Sequence, residues 1–367
     1  MSSAAPTLLE LLDGWTQKTP DKTALSFLDD SAEIVRGCSL SYSDISTRSS
    51  HLAAHLTSGQ NALTVGDRYG TNTTELQSST LHNYGMSAVH KLLSFIMKCL
   101  KFCKLFRVLL VYPPSLDFIV AFLGCLKAGL IAVPTFPPDP RRLNKDLKMF
   151  ANIADSCKAT AALTSAAYNY ATKLGSLQNA FSITVKGDQC KWPELQWIVT
   201  DNLFATPPIT SINDFKKLPQ QCDIAFLQYT SGSTSDPKGV IITQKNLSDN
   251  LRLIITGLNA SEDTVVVSWL PQYHDMGLIG SYLGALYCGG CGYYLSPVNF
   301  IRNPSLWISA MSKYKATHIQ APNFAYALTA RKYLAQAKAR LSKKIAEALD
   351  LSSVRHMINA GVTVREQ

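Results

Sequence analysis

The chain has 367 residues, 46% hydrophobic and 17% charged, with 20 Gly and 17 Pro. This is too apolar for a disordered chain and too poor in Gly and Pro for a fibrous one, and it is long enough for a large core. The formal net charge of +9 does not imply a nucleic-acid partner, because almost half of it sits in residues 69–107, where Lys91, Lys98, Lys101, Lys104 and Arg107 stand against one acid, Glu75.

The first residues lack the basic and apolar regions of a secretory signal. Nine cysteines follow no repeating framework, so free thiols in a reducing, cytoplasmic compartment are expected. The longest apolar run, 118–126, is too short to span a bilayer.

Leu8, Leu9, Leu11, Leu12 and Trp15 predict an amphipathic helix. A strand is expected over 24–28. A second helix carrying Ile45, Leu52, Ala53 and Leu56 starts after Ser41 and Asp44. Residues 108–112 read as a strand stopped by Pro113-Pro114. A helix over 116–128 follows, with Gly129 as its C-cap, then a strand over 130–133. A helix over 143–157 places Leu147, Phe150, Ile153 and Cys157 on one face, and strands are expected over 161–164 and 196–200. A buried strand over 222–229 leads into a polar loop. Beyond the loop lie a strand over 240–243, a helix capped by Thr243, and a strand over 265–270 ended by Pro271. Asn303 and Pro304 suit N-cap and N1 of a helix carrying Leu306, Trp307, Ala310, Met311 and Tyr314. Strands alternating with helices mark an α/β fold with largely parallel sheets.

The polar loop, YTSGSTSDPKGV over 229–240, gathers Thr230, Ser231, Ser233 and Thr234 with Gly232, Gly239 and Lys238. Glycine permits close backbone approach to an anion, and hydroxyls and an ammonium complement phosphate. The spacing is not that of a Walker A loop, and the residues alone also suit a plain surface turn. The string closely resembles the phosphate-binding signature of the adenylate-forming superfamily of acyl-CoA synthetases, peptide-synthetase adenylation domains and luciferases. The resemblance implies that Thr230, Ser231, Gly232, Ser233, Thr234, Lys238 and Gly239 hold the β- and γ-phosphates of ATP, with Thr234 a candidate Mg²⁺ contact.

A second block, WLPQYHDMGLIG over 269–280, pairs His274 with Asp275. Such a pair suits a general base or a metal ligand, although a metal site needs more ligands. The block is similar to a segment of fatty acyl-AMP ligases. So are YPPS at 112–115, PTFPPDP at 134–140, residues 297–302 with Trp307, and YKATHIQAPNFAY at 314–326. INAGVTVR at 358–365 resembles the adenine-binding NGAEPVR of that family, with Ala360-Gly361 inverted and Val362-Thr363 in place of Glu-Pro. The likeness runs over 1–68 and 108–367.

The likeness implies the large N-terminal domain of the acetyl-CoA synthetase-like, adenylate-forming fold: stacked αβαβα sheets with a distorted β-barrel region. It implies a partial AMP-binding domain over 1–367, without the C-terminal lid and its catalytic lysine, so that these residues alone have little adenylation activity. The implied reaction is ATP- and Mg²⁺-dependent activation of a fatty acid to acyl-AMP and pyrophosphate. An acyl carrier protein is the implied acceptor, with coenzyme A as the rival. His274 is implied to position carboxylate and phosphate, and Asp275 to orient local backbone. Asn359, Ala360 and Gly361 are implied adenine contacts, and Tyr273, Met276, Gly277 and Phe324 acyl-pocket residues. Phe300, Trp307 and Tyr326 join Phe324 as tunnel wall or ordinary core. Alternatives are a non-catalytic ATP- or acyl-binding fragment and an acyl-CoA or aryl-CoA ligase fragment.

Residues 69–107 interrupt the likeness. Codons AGG at both Arg68 and Arg107 would frame a splice donor and acceptor, and 39 codons keep the reading frame. A retained intron is the reading. A basic amphipathic helix over 79–106, suited to membranes or calmodulin, is the alternative. Cys288-Gly-Gly-Cys291 reads as a glycine-rich strand or turn with incidental thiols, since no second ligand pair accompanies it.

Overall fold

In the computed structural model, the described residues are 5–57, 106–139, 143–181, 192–201, 203, 219–230, 237–341 and 349–360. The interrupting segment lies outside them, apart from its last two residues. In chain order the elements begin with α1 (Leu8–Lys18), β1 (Thr23–Leu28), β2 (Ile34–Ser41) and α2 (Tyr42–Thr57). Next come β3 (Arg107–Val111), α3 (Asp117–Lys127), β4 (Ile131–Thr135), α4 (Leu143–Cys157), β5 (Ala161–Thr164), α5 (Ala166–Phe181) and β6 (Gln196–Val199). The remainder are β7 (Ile224–Tyr229), β8 (Gly239–Thr243), α6 (Gln244–Gly257), β9 (Val265–Ser268), a π-helix (Met276–Leu283), α7 (Gly284–Tyr287), β10 (Cys291–Leu295), α8 (Pro297–Arg302), α9 (Ser305–Lys313), β11 (His318–Ala321), α10 (Asn323–Leu341) and β12 (His356–Asn359).

The strands form two six-stranded sheets, ordered β12-β11-β9-β10-β1-β2 and β6-β5-β3-β4-β7-β8. All pairs are parallel except the edge pairs β1–β2 and β7–β8. Side-chain alternation makes each sheet two-faced. Val108 and Leu110 of β3 enter a core shared with α1, α2, α3 and the π-helix, whereas Leu109 and Val111 enter one shared with α4. Val267 of β9 and Ile319 and Ala321 of β11 enter a third core with α8, α9 and α10. The order is therefore helices, sheet, central helices, sheet, helices, the expected αβαβα stack.

The central helix α3 is buried on every side from Phe118 to Lys127. A helix apolar all round belongs in such an interior. Gly124 lies where a Cβ would come within 2.9 Å of Leu52, which lets α2 cross it closely. Lys127 is the charged exception. Its ammonium donates to Ser46 O (3.1 Å), Ser46 Oγ (3.3 Å) and Ser50 Oγ (2.9 Å).

Local signals account for several boundaries. Ser41 and Asp44 bond reciprocally at the start of α2, as a capping box does. Thr243 and Asn246 do the same for α6. Gly129 takes a left-handed φ of +68° after α3. Cys288–Gly290 turns into β10, as the glycines suggested.

Two elements differ from expectation. The helix expected to begin at Pro304 starts one residue later, at Ser305, with Pro304 at the cap. Strand β2 was not foreseen. No barrel closes among the described residues. Phe300 and Trp307 are fully buried core, with Phe300 stacked on Trp269 at 3.8 Å and Trp307 Nε1 donating to Val267 O. No helix among the described residues is long and apolar enough to cross a membrane.

Candidate functional site

Every candidate segment begins at the carboxyl end of a strand. Thr230 follows β7, Trp269 follows β9, Pro322 follows β11 and Ala360 follows β12. Ligands of open α/β sheets bind in that region, where strand carbonyl ends and loop backbones converge.

The polar loop joins the antiparallel strands β7 and β8. Tyr229 pairs with Gly239, and Thr230 N–H donates to Lys238 O at 3.1 Å, closing the loop base. Gly239 is needed there, because a Cβ would lie 2.8 Å from the Tyr229 ring. The Tyr229 hydroxyl donates to Ser156 Oγ at 3.0 Å, which holds that ring in place. Thr230 and Lys238 are exposed at the two ends of the loop. Ser231, Gly232, Ser233 and Thr234 lie outside the described residues, as does Gly361.

The second block is bonded to the end of β7, from which the loop departs. Gln228, next to Tyr229, donates through Nε2 to Tyr273 O at 3.2 Å. Gln272 clamps the same block to the turn after β3, accepting from Ser115 N–H (3.1 Å) and donating to Pro113 O (3.0 Å). The Tyr273 ring meets Phe136 edge-on at 6.4 Å.

His274 Nδ1 and Asp275 Oδ1 are 2.5 Å apart, and Asp275 Oδ1 also accepts from Met276 N–H at 2.8 Å. Asp275 thus orients both the ring and the start of the π-helix. The hydrogen bond to Asp275 raises the His274 pKa above its ordinary value, against the opposing effect of burial. The same bond holds the Asp275 carboxyl below its usual range. Both side chains are about half exposed, at 50% and 59%, so the pair faces solvent and can meet a ligand. With Nδ1 engaged, Nε2 is the ring nitrogen left to address an anion.

The π-helix forms one wall of an apolar groove of about 500 Å³. Asp275, Met276, Ile279 and Gly280 line that wall, Leu253, Ile254 and Leu258 face it from α6 and the turn after it, and Gln320 and Ile358 supply the floor. Gly277 lies behind the wall, where a Cβ would stand 2.1 Å from Pro271 O. Adjoining the groove is a second, partly open and mostly apolar pocket of about 20 Å³ that includes Ile255, Val266, Ala285, Cys288 and His318.

Of the expected acyl-pocket residues, Met276 lines the groove. Gly277 sets its backbone path, and Tyr273 sits on the loop side. Phe324 packs toward Trp269 at 6.2 Å rather than into the groove. Asn359 ends β12 and Ala360 follows it, with Asn359 Nδ2 donating to Asn323 Oδ1 at 3.1 Å. Gln320, Ile254, Leu258 and Ile358 were not anticipated. One signal for Gln320 was available: a polar side chain within a short, largely buried strand, HIQA.

A family model described as "AMP-binding enzyme" matches residues 97–367. A medium-chain-fatty-acid–[acyl-carrier-protein] ligase of Moorena producens is 36% identical over 262 residues, covering 71% of this chain and 41% of its own length. A ligase of the same description from Teredinibacter turnerae is 36% identical over 250 residues, covering 61% of this chain and 38% of its own. Among solved structures, the fatty acyl-adenylate ligase from L. pneumophila in complex with acyl adenylate and pyrophosphate is 28% identical. It superposes with a TM-score of 0.68 over 98% of this chain and 50% of its own. The chain spans about two fifths of the length of these curated relatives and half of that structure.

Proposed function

Because the chain belongs to the AMP-binding enzyme family, we propose that it supplies the substrate-binding body of an enzyme that activates a fatty acid with ATP. The products would be acyl adenylate and pyrophosphate. One observation carries this reading: an apolar groove opens beside the His274–Asp275 pair, and the carbonyl of the adjacent Tyr273 accepts from Gln228, at the end of the strand that leads into a hydroxyl- and glycine-rich loop. An apolar site next to an anion site suits a fatty acid meeting a nucleotide. The names of the relatives agree with that pairing.

The reaction is an in-line displacement. A carboxylate oxygen attacks the α-phosphorus, and the bond to the β-phosphate bridging oxygen breaks with its electron pair leaving on pyrophosphate. The protein's part is positioning and charge neutralisation. Protonated His274, favoured by Asp275, would place positive charge between the carboxylate and the α-phosphate. Lys238 and the loop hydroxyls would hold the β- and γ-phosphates. Asn359 and Ala360, at the end of β12, are assigned to adenine together with Gly361.

Magnesium, when bound, neutralises phosphate charge. Thr234 would be its protein contact. The described residues hold no group of three His, Cys, Asp or Glu placed for a metal, and a magnesium ion held largely by phosphate oxygens and water needs none. The acceptor assigned is an acyl carrier protein, as the relatives' names suggest, with coenzyme A the rival. The setting assigned is the cytoplasm, where free thiols persist.

The test is binding by the 367-residue chain itself, since it matches only about two fifths of the length of these relatives. Isothermal titration with dodecanoate and with Mg-ATP should each give saturable heat. Ile254→Asp should abolish the first and spare the second. A folded chain that binds neither ligand would overturn the proposal.

A further inference from the structure

Five residues line both the open groove and the smaller, partly open pocket that adjoins it: Ile254, Leu258, Gly280, Gln320 and Ile358. They mark the neck between the two spaces, and Gln320 is the only polar one. Strand alternation places Gln320 on the same face of β11 as His318. From there its amide reaches across the neck to the π-helix. Nε2 donates to Met276 O at 2.9 Å and to Ser281 Oγ at 2.5 Å. The opposite wall is shaped to receive it. A Cβ on Gly280 would lie 2.6 Å from the Gln320 amide, so only glycine leaves room for the crossing.

We propose that Gln320 is a specificity-determining residue, a bar across the groove that stops an acyl chain at the neck and sets the longest fatty acid the protein takes. This rests on the reading that the groove holds the acyl chain. The obstacle is steric and polar together. The methyl end of a chain reaching the neck meets an amide fastened at both hydrogens. To pass, it must break two hydrogen bonds and leave Met276 O without its Gln320 donor in an apolar space, which costs more than a further methylene returns. Ser281 Oγ keeps a second partner in Ser268 Oγ at 3.0 Å, so the wall itself does not depend on Gln320 alone. Beyond the neck the lining is mostly apolar, with Thr264 and His318 its polar side chains, and Ala285 and Cys288 leave space there. Removing the bar therefore joins the two spaces.

The experiment measures Kd for octanoate, dodecanoate and hexadecanoate, below their micelle concentrations, on the 367-residue chain, Gln320→Ala and Gln320→Met. In the wild type, affinity should climb by about fourfold per added methylene and then stop climbing before hexadecanoate. In Gln320→Ala, the hexadecanoate-to-octanoate affinity ratio should rise by roughly tenfold, the yield of about two further buried methylenes. Gln320→Met keeps the bulk without the hydrogen bonds, and its ratio should stay within about threefold of the wild type. A wild-type series that climbs unbroken through hexadecanoate overturns the bar, whether or not either variant folds. So does a Gln320→Ala protein that weakens all three acids equally, for then Gln320 only holds the π-helix in place. If the folded wild type binds no fatty acid of any length, the reading of the groove falls, and the bar with it.

Discussion

Replacing Lys127 by methionine should change how stability depends on pH, and the size of the change follows from where the ammonium sits. It is buried in the central layer among Ser46, Ser50 and the helices α1 to α3. Burial pushes its pKa from an ordinary 10.5 down to about 8, with the nearby Asp13 carboxylate opposing the shift. Below pH 8 both the folded and the unfolded chain carry the proton, and the fold bears the whole cost of a buried charge. Between pH 8 and 10.5 the unfolded chain binds more protons than the folded one, so stability rises with pH. Above 10.5 the penalty is gone. A displacement from 10.5 to about 8 corresponds to about 3 kcal/mol in all, of which about 2 kcal/mol should emerge between pH 7.5 and 10. Other groups titrate over the same range, notably the buried tyrosines, but they cancel when wild type and Lys127→Met are compared. The loss of bonds to Ser46 and Ser50 offsets the two curves by a constant. The assay is urea unfolding of both proteins at half-unit steps of pH. Wild type should gain about 2 kcal/mol on the variant across that window. A difference flat to within about 0.5 kcal/mol, the scale of extrapolation error, refutes the buried-ammonium reasoning.

Gly277→Ala should cost about 1–3 kcal/mol, because its Cβ would meet Pro271 O at 2.1 Å and the backbone has to give way; an unchanged thermal midpoint counts against that packing. His274 should titrate above its ordinary value in an NMR pH series, because Asp275 favours the imidazolium. Asp275→Asn should bring the midpoint down, and ATP affinity near pH 7.5 should fall with it. A midpoint that does not move would show that Asp275 is not the cause. Gly239→Val should displace the Tyr229 ring, break its bond to Ser156 and destabilise by about 1 kcal/mol, with faster hydrogen exchange at the loop base. Unaltered exchange there would separate the ring from the loop.

Much of the fold was legible because its signals are local. Helix 143–157 and strand 161–164 have the expected bounds, since one apolar face and one short buried run define them. The caps at Ser41 and Thr243 are written in adjacent residues. Strand β2 escaped because Ile34–Ser41 is a largely exposed edge, with Arg36 and Gly37 interrupting any alternation. The π-helix escaped because MGLIGSYL is apolar on every side and gives no period from which to count residues per turn. At the site, the loop and the His274 block were legible as strings. The groove was not, because it is assembled from α6, the π-helix, β11 and β12, far apart in sequence. Binary pattern shows which face of each element turns inward. It does not show which inward faces leave space between them, so the pattern did not point to Gln320 and Ile358 as lining the groove with Met276, or to Phe324 packing toward Trp269.

Consider finally the angular bookkeeping of Met276–Leu283. Gly284 N–H reaches back five residues to Ile279 O, whereas Leu278 N–H reaches back four to His274 O. A π-turn of this kind holds one more residue than an α-turn, and one residue is roughly 100° of helical rotation. The side chains before and after the turn are therefore out of phase with an ordinary helix. That offset turns Met276 and Ile279 toward the groove while Leu283 and Leu286 stay in the central core. Deleting a single residue within 278–282 would restore α-periodicity and swing the first turn by about a quarter of a circle relative to the core. The wall would then present a different set of side chains to the same space. The shape of the groove can thus be altered by phase as well as by side-chain size.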